Sequence, residues 1–331
     1  MLSLGIESTA HTLGVAVVDS RGRIIADERA VYTPPSGGIK PQEASEHHYH
    51  AADKLISRVF SLISPEEIDI VCFSRGPGLP PCLSIGAIVA RTLAYILKKP
   101  LIGVNHCTAH VELARLLSGF HDPVVVYVSG GNTQVIAYSE GRYRVLGETE
   151  DIGLGNAQDK LARELGIPNP PGPYMDRVVG RWIDLPYTVK GMNLAYSGLV
   201  TEAIKRAKQG AKMEDVIYSF MEVSFSMLVE VAERALAHIG KKQLVLTGGV
   251  AASPKLREKF RLMCRERGAE FYAVEPKLAR DNGVMIAWTG ILAYMQGKWE
   301  GESWIMPNWR IDDDSWELID LSTLREEQAG G

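Results

Sequence analysis

The two halves of the chain open with the same pattern of strands and turns, and this repeat restricts the possible folds more than any other feature. Residues 1–31 read as strand, small-residue turn, strand, turn, strand, and residues 123–149 repeat that order. The second turn is SRGR at 20–23 and SEGR at 139–142. Recurrence of a whole supersecondary unit predicts two similar lobes.

Strands alternate with helices after each copy of the repeat, which predicts α/β sheets. The 331 residues also favour two domains, on a rough prior of ~150 residues for each. We expect no transmembrane helix, because no run of 18 consecutive apolar residues occurs. A secretory signal is not expected, because MLSLGIEST lacks a basic region before an apolar stretch.

Charge and cysteine content make some functional classes less favourable. Lys and Arg number 36 against 40 Asp and Glu, a net charge of -4. Bulk electrostatics therefore does not favour binding to nucleic acid, which would need a local basic patch or a partner. The four cysteines show no CxxC spacing, so we expect no disulfide framework and a reducing, cytoplasmic location.

Three glycine turns each follow a predicted strand: Gly5-Ile6-Glu7-Ser8-Thr9, Ser129-Gly130-Gly131-Asn132 and Thr247-Gly248-Gly249-Val250. Any one of them alone fits an ordinary tight turn. Exposed backbone N–H groups in such turns can also hold a phosphate. Their shared position at the carboxyl ends of strands, where α/β sheets bind ligands, favours the phosphate interpretation.

His106 and His110 are four residues apart, which on a helix places both rings on one face, as a single metal ion requires. Cys107 stands where a zinc protease of the HExxH type has its general-base Glu, so that class is disfavoured. The spacing leaves metal binding and simple packing both open. Asp281 begins a predicted helix and fits either an N-terminal cap or a third ligand. The histidines of residues 46–50 (EHHYH) fit a solvated or partly packed helix start.

Further motifs occur in a fixed order over about residues 1–310. They are Gly5-Ile6-Glu7 with Thr9-Ala10-His11-Thr12; Gly37-Gly38-Ile39 with Pro41 and Glu46-His47-His48; Gly76-Pro77-Gly78-Leu79; Gly103-Val104-Asn105-His106 with Ala109-His110-Val111-Glu112; Tyr127-Val128-Ser129-Gly130-Gly131-Asn132-Thr133; Gly147-Glu148-Thr149; Asp151-Ile152-Gly153 with Gly155-Asn156-Ala157; Lys190-Gly191-Met192 with Ser197-Gly198; Gly248-Gly249-Val250-Ala251; and Arg280-Asp281-Asn282-Gly283. With these motifs the chain resembles the universal tRNA threonylcarbamoyl-adenosine transferase family in its archaeal and eukaryotic form, the catalytic subunit of the KEOPS complex.

The resemblance implies an actin-like fold, also called ASKHA after the sugar kinases, Hsp70 and actin. In it, two ribonuclease-H-like lobes surround a nucleotide cleft, in agreement with the internal repeat. We expect an N-terminal lobe over 1–122, joined by the C-terminal segment 296–331. The second lobe is expected over 123–295, with a helical insertion over about 150–240.

The resemblance also implies a ligand set. His106, His110 and Asp281 would hold one Fe²⁺ ion per subunit, with zinc as the alternative. Tyr127 would also reach the metal. The adenylate, or ATP or AMP, would lie in the cleft. The residues implied in binding it are Tyr127, Val128, Ser129, Gly130, Gly131, Asp159, Gly172, Asp176 and Ser253.

The implied reaction moves a threonylcarbamoyl group from threonylcarbamoyl-AMP to N6 of the adenosine next to the anticodon of tRNAs reading ANN codons, releasing AMP. No general base is evident from the sequence. Implied partners are tRNA, a small kinase-like subunit, a dimerising subunit, an accessory subunit and an upstream adenylate-forming enzyme, without a membrane.

Several positions differ from the family pattern, and two of them bear on the expected nucleotide contacts. Ser253 stands where most relatives have Asn, and Asp176 where Glu is usual, so two expected nucleotide contacts are shortened. A nucleotide-binding scaffold subunit and a small-molecule kinase of the same fold therefore remain alternatives. Such kinases usually carry a carboxylate in the first phosphate loop for Mg²⁺, and residues 8–12 hold none.

Overall fold

The computed structural model describes residues 1–34, 38–298 and 304–326, and the chain divides into two compact units. One unit is Met1–His121 with Asp281–Gly331, and the other is Asp122–Arg280. Gly37 of the second motif, and residues 299–303 and 327–331 of the expected C-terminal segment 296–331, lie outside the described residues.

The first unit contains a five-stranded sheet with helices packed on it. Its elements are β1 (Leu2–Glu7), β2 (Thr12–Asp19), β3 (Ile24–Val31), α1 (Pro41–Phe60), a one-turn 3-10 helix (Pro65–Glu67), β4 (Ile70–Gly76), α2 (Pro80–Leu97), β5 (Leu101–Asn105) and α3 (His106–Ser118). The chain enters the second unit after α3 and later returns.

The second unit contains another five-stranded sheet and a larger helical part. Its elements are β6 (Val124–Val128), β7 (Thr133–Ser139), β8 (Arg142–Glu148), α4 (Leu154–Glu164), α5 (Gly172–Met175), β9 (Val189–Lys190), β10 (Asn193–Leu194), α6 (Ser197–Lys208), α7 (Met213–Ile239), β11 (Gln243–Thr247), a 3-10 helix (Gly249–Ala252), α8 (Pro254–Glu266), β12 (Glu270–Ala273) and α9 (Pro276–Ala279). The first unit is completed by α10 (Gly283–Met295) and α11 (Leu321–Glu326).

The predicted repeat is confirmed by the topology of the two sheets. The first has the order β3-β2-β1-β4-β5, and the second the order β12-β11-β6-β7-β8. In each, a three-stranded antiparallel meander is extended by two parallel strands on the side of its first strand. The two meanders are the strand–turn–strand–turn–strand segments read from the sequence.

The boundary near residue 122 agrees with the structure within one residue, whereas the expected second boundary at 295/296 does not. Residues 281–295, which we expected in the second lobe, belong to the first unit. Every residue of α10 up to Ala293 is buried, and the helix packs on β1, β2 and β4. A helix apolar on all sides needs neighbours on all sides, and these strands and α3 supply them.

Helix α2 is long and apolar enough to cross a membrane, although it contains no run of 18 consecutive apolar residues. Its mean hydropathy is 1.4 over 18 residues, of which 33% are buried. Ser84, Arg91 and Thr92 interrupt the apolar run without lowering that mean below the range of membrane helices. A single helix of this kind is weak evidence, because core helices of soluble proteins pass the same test. Here α2 packs against β4 and α1.

The core of the second unit is built around α7. Phe220, Phe225 and Met227 are fully buried, which confirms the packing role expected from their helical spacing. They belong to one cluster with β6, α4, α6 and α8. None of the four cysteines, all of them buried, forms a disulfide.

The contact between α10 and the first sheet depends on glycine. A Cβ on Gly5 would lie 2.3 Å from the amide nitrogen of Ala287 and from the carbonyl oxygen of Gly283. A Cβ on Gly283 would lie 2.6 Å from the amide nitrogen of Ala16. Backbone atoms of α10 therefore contact backbone atoms of the sheet. Neither segment can move away from the other without leaving a gap in the core.

We expect Gly5→Ala to lower the free energy of unfolding by roughly 3 kcal/mol, at the upper end for overpacking, because its Cβ meets backbone atoms. Urea denaturation measures this change. Gly198→Ala in α6 is the matched control, since a Cβ there meets nothing within 4 Å. Equal stability of the two variants would contradict the close contact.

Candidate metal centre and nucleotide pocket

The first unit brings together the three side chains named as metal ligands. One ligand atom each from His106, His110 and Asp281 lies within 4.8 Å of the other two. Oδ1 of Asp281 is 3.2 Å from Nε2 of His110 and 3.6 Å from Nε2 of His106. Both rings are buried, and the carboxylate is partly exposed.

Helix α3 begins at His106. Asn105 caps it, since its side-chain oxygen accepts bonds from the amides of Cys107 and Thr108 at 2.9 and 3.1 Å. Both histidines therefore lie within one helix, and their rings meet edge to face with centroids 4.8 Å apart. The four-residue spacing thus places both rings on one face of the helix, as predicted.

Asp281 is not the cap of the helix that follows it. The cap of α10 is Asn282, whose side-chain oxygen accepts a bond from the amide of Met285 at 2.9 Å. The Asp281 carboxylate is thereby left to His110 and His106. Of the two roles that the sequence left open for Asp281, the structure excludes the cap, and the role of metal ligand stays a prediction.

Glu7 is a member of this site that the sequence did not single out. It ends β1, is fully buried, and its Oε2 lies 3.0 Å from Nδ1 of His106. Its Oε1 accepts bonds from the amide and the hydroxyl of Thr9, at 2.7 and 2.5 Å. The available signal was an acidic residue at the end of an otherwise apolar strand, where a buried charge needs a partner.

The electrostatics of the cluster is dominated by its two carboxylates. Burial opposes the charged form of His106, but the adjacent Glu7 outweighs it and raises the pKa of His106 to about 9. Burial lowers the pKa of His110. Burial would raise the pKa of Asp281, but its bond to His110 and the charge of His106 bring it below its ordinary value. At neutral pH the metal-free site therefore holds an anionic Asp281 carboxylate beside a protonated His106 and a neutral His110, and a metal ion has to displace the proton of His106.

These donors fit a first-row metal ion. Two imidazoles and one carboxylate form the ligand set of non-haem iron sites and also suit zinc. Ligand atoms about 2.1 Å from an ion lie roughly 3–3.5 Å from each other, close to the 3.2 and 3.6 Å observed. The Glu7–His106 contact is the usual carboxylate partner of a metal-bound histidine, leaving Nε2 for the metal.

The C-terminal segment 304–320 holds the start of α3. The side-chain nitrogen of Asn105 donates to the carbonyls of Trp309 and Arg310, both at 3.4 Å. The amide of Met306 donates to the carbonyl of Arg75 at 2.7 Å. Asn105 thus caps α3 with one side-chain atom and binds the C-terminal segment with the other.

The same segment also binds the second half of α3. Glu112 and Arg115 are both buried and form an ion pair at 2.7 Å. The indole of Trp316 donates to the other Glu112 oxygen at 2.7 Å. Arg115 donates to the carbonyl of Ile319 at 2.9 Å. The helix with both histidines is therefore fastened at two points by residues far along the chain.

A cavity of about 440 Å³ in the second unit brings together five of the nine residues implied in nucleotide binding, which are Gly130, Asp159, Gly172, Asp176 and Ser253. Its size lies in the range of small-molecule sites. The other four do not line it: Tyr127, Val128, Ser129 and Gly131. The nucleotide role of all nine stays a prediction, as does the place of the buried Tyr127 beside a metal.

The turn after β6 bears on the expected phosphate contact. The amide of Ser129 donates to the carbonyl of Asn132 at 2.8 Å, which closes the turn. The Ser129 amide is therefore already hydrogen-bonded. Of the three amides in the turn, those of Gly130 and Gly131 remain candidates for binding a phosphate. A Cβ on Gly153 would lie 2.3 Å from the carbonyl oxygen of Gly130, so the start of α4 abuts this turn.

Ser253 and Asp176, two of the positions that differ from the family pattern, contact each other. The hydroxyl of Ser253 donates to Oδ1 of Asp176 at 2.6 Å. The same hydroxyl caps α8 by accepting a bond from the amide of Leu256 at 3.2 Å. Burial raises the pKa of Asp176. The two shorter side chains therefore form one hydrogen-bonded pair in the wall of the cavity.

The histidines of residues 46–50 form a partly packed helix start, one of the forms that the sequence suggested. His48 is buried, and its Nε2 lies 3.1 Å from the carbonyl oxygen of Ala10. Burial lowers the pKa of His48 to about 4, so it is neutral at physiological pH. His50 is exposed.

Sequence comparison identifies relatives over nearly the whole chain. The sequence model of the family TsaD, tRNA N6-adenosine threonylcarbamoyltransferase, matches residues 23–288. Enzymes of that name from Archaeoglobus fulgidus and Thermofilum pendens are 50% and 53% identical, over 95% and 94% of this chain and 98% and 95% of their own. A probable bifunctional tRNA threonylcarbamoyladenosine biosynthesis protein from Methanocaldococcus jannaschii is 48% identical over 98% of this chain, which spans 61% of that protein.

Solved structures with little sequence identity share the fold. HypF from T. kodakarensis has a TM-score of 0.64 at 14% identity, over 92% of this chain and 49% of that one. The activator of 2-hydroxyisocaproyl-CoA dehydratase from Clostridium difficile has a TM-score of 0.53 at 12% identity, over 91% and 98%. Together with the two related sheets, these likenesses confirm the predicted actin-like fold class.

Removal of a residue that only hydrogen-bonds a metal ligand lowers metal affinity roughly 10- to 100-fold. We expect Asp281→Asn to lower it by more than that, because the residue would be a ligand itself. Titration of the metal-free protein with Fe²⁺ or Zn²⁺ measures the affinity. Asp53→Asn on the exposed face of α1 is the matched control and should bind like the original chain. Unchanged affinity in Asp281→Asn would exclude this residue as a ligand.

We expect Trp316→Phe to lower the free energy of unfolding by about 1–2 kcal/mol, because the buried Glu112 carboxylate loses a donor. Metal affinity should fall severalfold, since α3 loses one of its two fastenings. Urea denaturation and metal titration give the two readings. Trp304→Phe is the control, with an indole that is 73% exposed, and a loss as large as that of Trp316→Phe would argue against a specific fastening.

Proposed function

We propose that this chain transfers a threonylcarbamoyl group from threonylcarbamoyl-AMP to tRNA. The premise is that the chain belongs to the TsaD family of tRNA N6-adenosine threonylcarbamoyltransferases. The acceptor is N6 of the adenosine next to the anticodon in tRNAs that read ANN codons, and AMP is released. The observation that carries the proposal is the family match over residues 23–288, which includes both histidines and Asp281.

In the proposed step the amine nitrogen forms a bond to the carbamoyl carbon. The bond from that carbon to the phosphate oxygen breaks, AMP leaves with the electron pair, and the amine loses one proton. A bound Fe²⁺ ion, with Zn²⁺ as the alternative, would supply a Lewis acid for the carbonyl or for the departing charge. His106, His110 and Asp281 would hold that ion, and Glu7 would keep the His106 ring turned toward it.

The cavity of the second unit is proposed to bind the adenylate. The amides of Gly130 and Gly131 would donate to the phosphate, as backbone N–H groups in a glycine turn can. The carboxylates of Asp159 and Asp176 are acceptors of the kind that bind ribose hydroxyls. Ser253 would act through Asp176, since it donates to that carboxylate. Fixing the adenylate in this way would lower the entropic part of the barrier.

The environment of Glu7 argues against the kinase alternative. Kinases of this fold class usually have a carboxylate in the first phosphate loop that is free to manage Mg²⁺. The acid nearest to that loop is Glu7, which is fully buried and bound to His106 and Thr9. It is therefore committed to orienting a histidine, a task with no place in phosphoryl transfer.

We propose that the chain works in the cytoplasm as the catalytic subunit of KEOPS, beside a small kinase-like subunit, a dimerising subunit and an accessory subunit. An adenylate-forming enzyme would supply its substrate. The net charge of -4 supports a need for partners, because tRNA affinity comes largely from phosphate neutralisation. The relatives named bifunctional, of which this chain spans 61% and 62%, are consistent with a second activity beside this one.

The test is a transfer assay with unmodified tRNA, threonine, bicarbonate, ATP and an adenylate-forming enzyme, with and without the partner subunits. We expect threonylcarbamoyladenosine, read by mass spectrometry of nucleosides, only when the chain is present. His110→Ala should abolish the product, and Asp53→Asn should leave it unchanged. Tight nucleotide binding without product, even with all partners, would favour the scaffold alternative and overturn the proposal.

A further inference from the structure

One segment of the second unit, which begins in α5 and continues without regular secondary structure, exposes an unusual amount of aromatic surface. This aromatic loop, residues 174–187, carries Tyr174, Val179, Trp182 and Tyr187, which are 42%, 82%, 56% and 50% exposed. Among the described residues of the second unit, Leu262 alone is a comparably exposed large apolar side chain outside it. Single exposed apolar residues are ordinary, but a cluster marks an interaction surface.

The backbone of the aromatic loop is held in place while these side chains point outward. The amide of Arg181 donates to Asp215 at 2.7 Å, and that of Ile183 to the hydroxyl of Ser219 at 2.9 Å, both on α7. Lys255 on α8 donates to the carbonyl of Val178 at 2.8 Å. A ligand would therefore meet side chains whose backbone is already ordered, which lowers the entropic cost of binding.

Cationic groups lie between the aromatic ones. Arg177 and Arg181 are exposed, and in the described part of the chain neither forms an ion pair. Asp184 is occupied by the indole nitrogen of Trp182, which donates to it at 2.9 Å. Arginines interleaved with aromatic rings fit single-stranded nucleic acid, whose bases stack on rings and whose phosphates attract cations. In a chain of net charge -4 such a local group has to supply that attraction.

The aromatic loop is continuous with the wall of the proposed adenylate cavity. Pro173, Asp176 and Arg177 line the cavity, and Tyr174 lies between them in sequence. An adenosine that receives the group from an adenylate in this cavity must reach its rim, and the aromatic loop is continuous with part of that rim, so unpaired nucleotides beside the adenosine come within reach of this segment. This step rests on the proposed function.

We propose that the aromatic loop is the platform on which unpaired anticodon-loop nucleotides of the tRNA stack. Trp182 and Tyr174 supply the stacking faces, and Arg177 and Arg181 supply contacts to phosphates. Sequence tolerance follows from this chemistry, because every base presents a π face. The platform therefore contributes affinity and position for the loop, while the identity of the modified base is decided elsewhere.

The test compares Trp182→Ala and Trp182→Phe with Tyr95→Ala, whose ring on α2 of the first unit is 84% exposed. With the partner subunits present, we expect Trp182→Ala to raise KM for tRNA roughly tenfold, as for the loss of one stacked base, with little change in kcat. Trp182→Phe should recover most of the affinity, and Tyr95→Ala should match the original chain. AMP binding should be equal in all of them, which separates a platform from a folding defect.

A second reading uses salt. We measure the affinity for an anticodon stem-loop RNA at several salt concentrations and plot log affinity against log salt. The magnitude of the slope should fall by about 0.7 for each phosphate contact that Arg177→Ala or Arg181→Ala removes. A KM for Trp182→Ala equal to that of Tyr95→Ala would overturn the platform. Loss of a protein subunit from the complex, with unchanged stem-loop binding, would overturn it too, in favour of a protein-binding surface. Absence of transfer by the original chain would instead count against the proposed function, and stem-loop binding would still decide the platform.

Discussion

The first unit depends on the direct backbone contact between α10 and the strands β1 and β2. Gly5 and Gly283 leave no room for a side chain between them, so α10 lies closer to the sheet than two ordinary residues would permit. This contact fixes the position of the start of α10 at Gly283. It thereby fixes the position of Asp281, which precedes that helix by two residues.

The candidate metal centre is consequently a meeting point of distant parts of the chain. Asp281 comes with α10, the two histidines come with α3, and Glu7 comes with β1. The C-terminal segment 304–320 then holds α3 through Asn105 and Trp316. Preorganisation of this kind keeps ligand atoms in place before an ion binds, so the binding energy is not spent on ordering the side chains.

The second unit uses the same sheet topology for a different purpose. Its glycine turn after β6, the start of α4 and the Ser253–Asp176 pair form the wall of one cavity, and its irregular segment presents aromatic rings beside that wall. The two units thus divide the proposed chemistry, with metal ligands on the first and nucleotide and RNA contacts on the second. Each copy of the shared supersecondary unit thus carries a different candidate site.

Much of the fold and part of the site could be predicted from the sequence. The repeat, the α/β class, the shared helix face of His106 and His110 and the family motifs all follow from local spacing, which determines the faces of helices and strands. The role of Asp281 as partner of His110 instead of a cap, the Glu7–His106 contact and the pairing of Ser253 with Asp176 came only from the tertiary structure. His110 and Asp281 are 171 residues apart, and spacing along a chain does not determine which distant side chains meet. Sheet register and the close packing of α10 decide that.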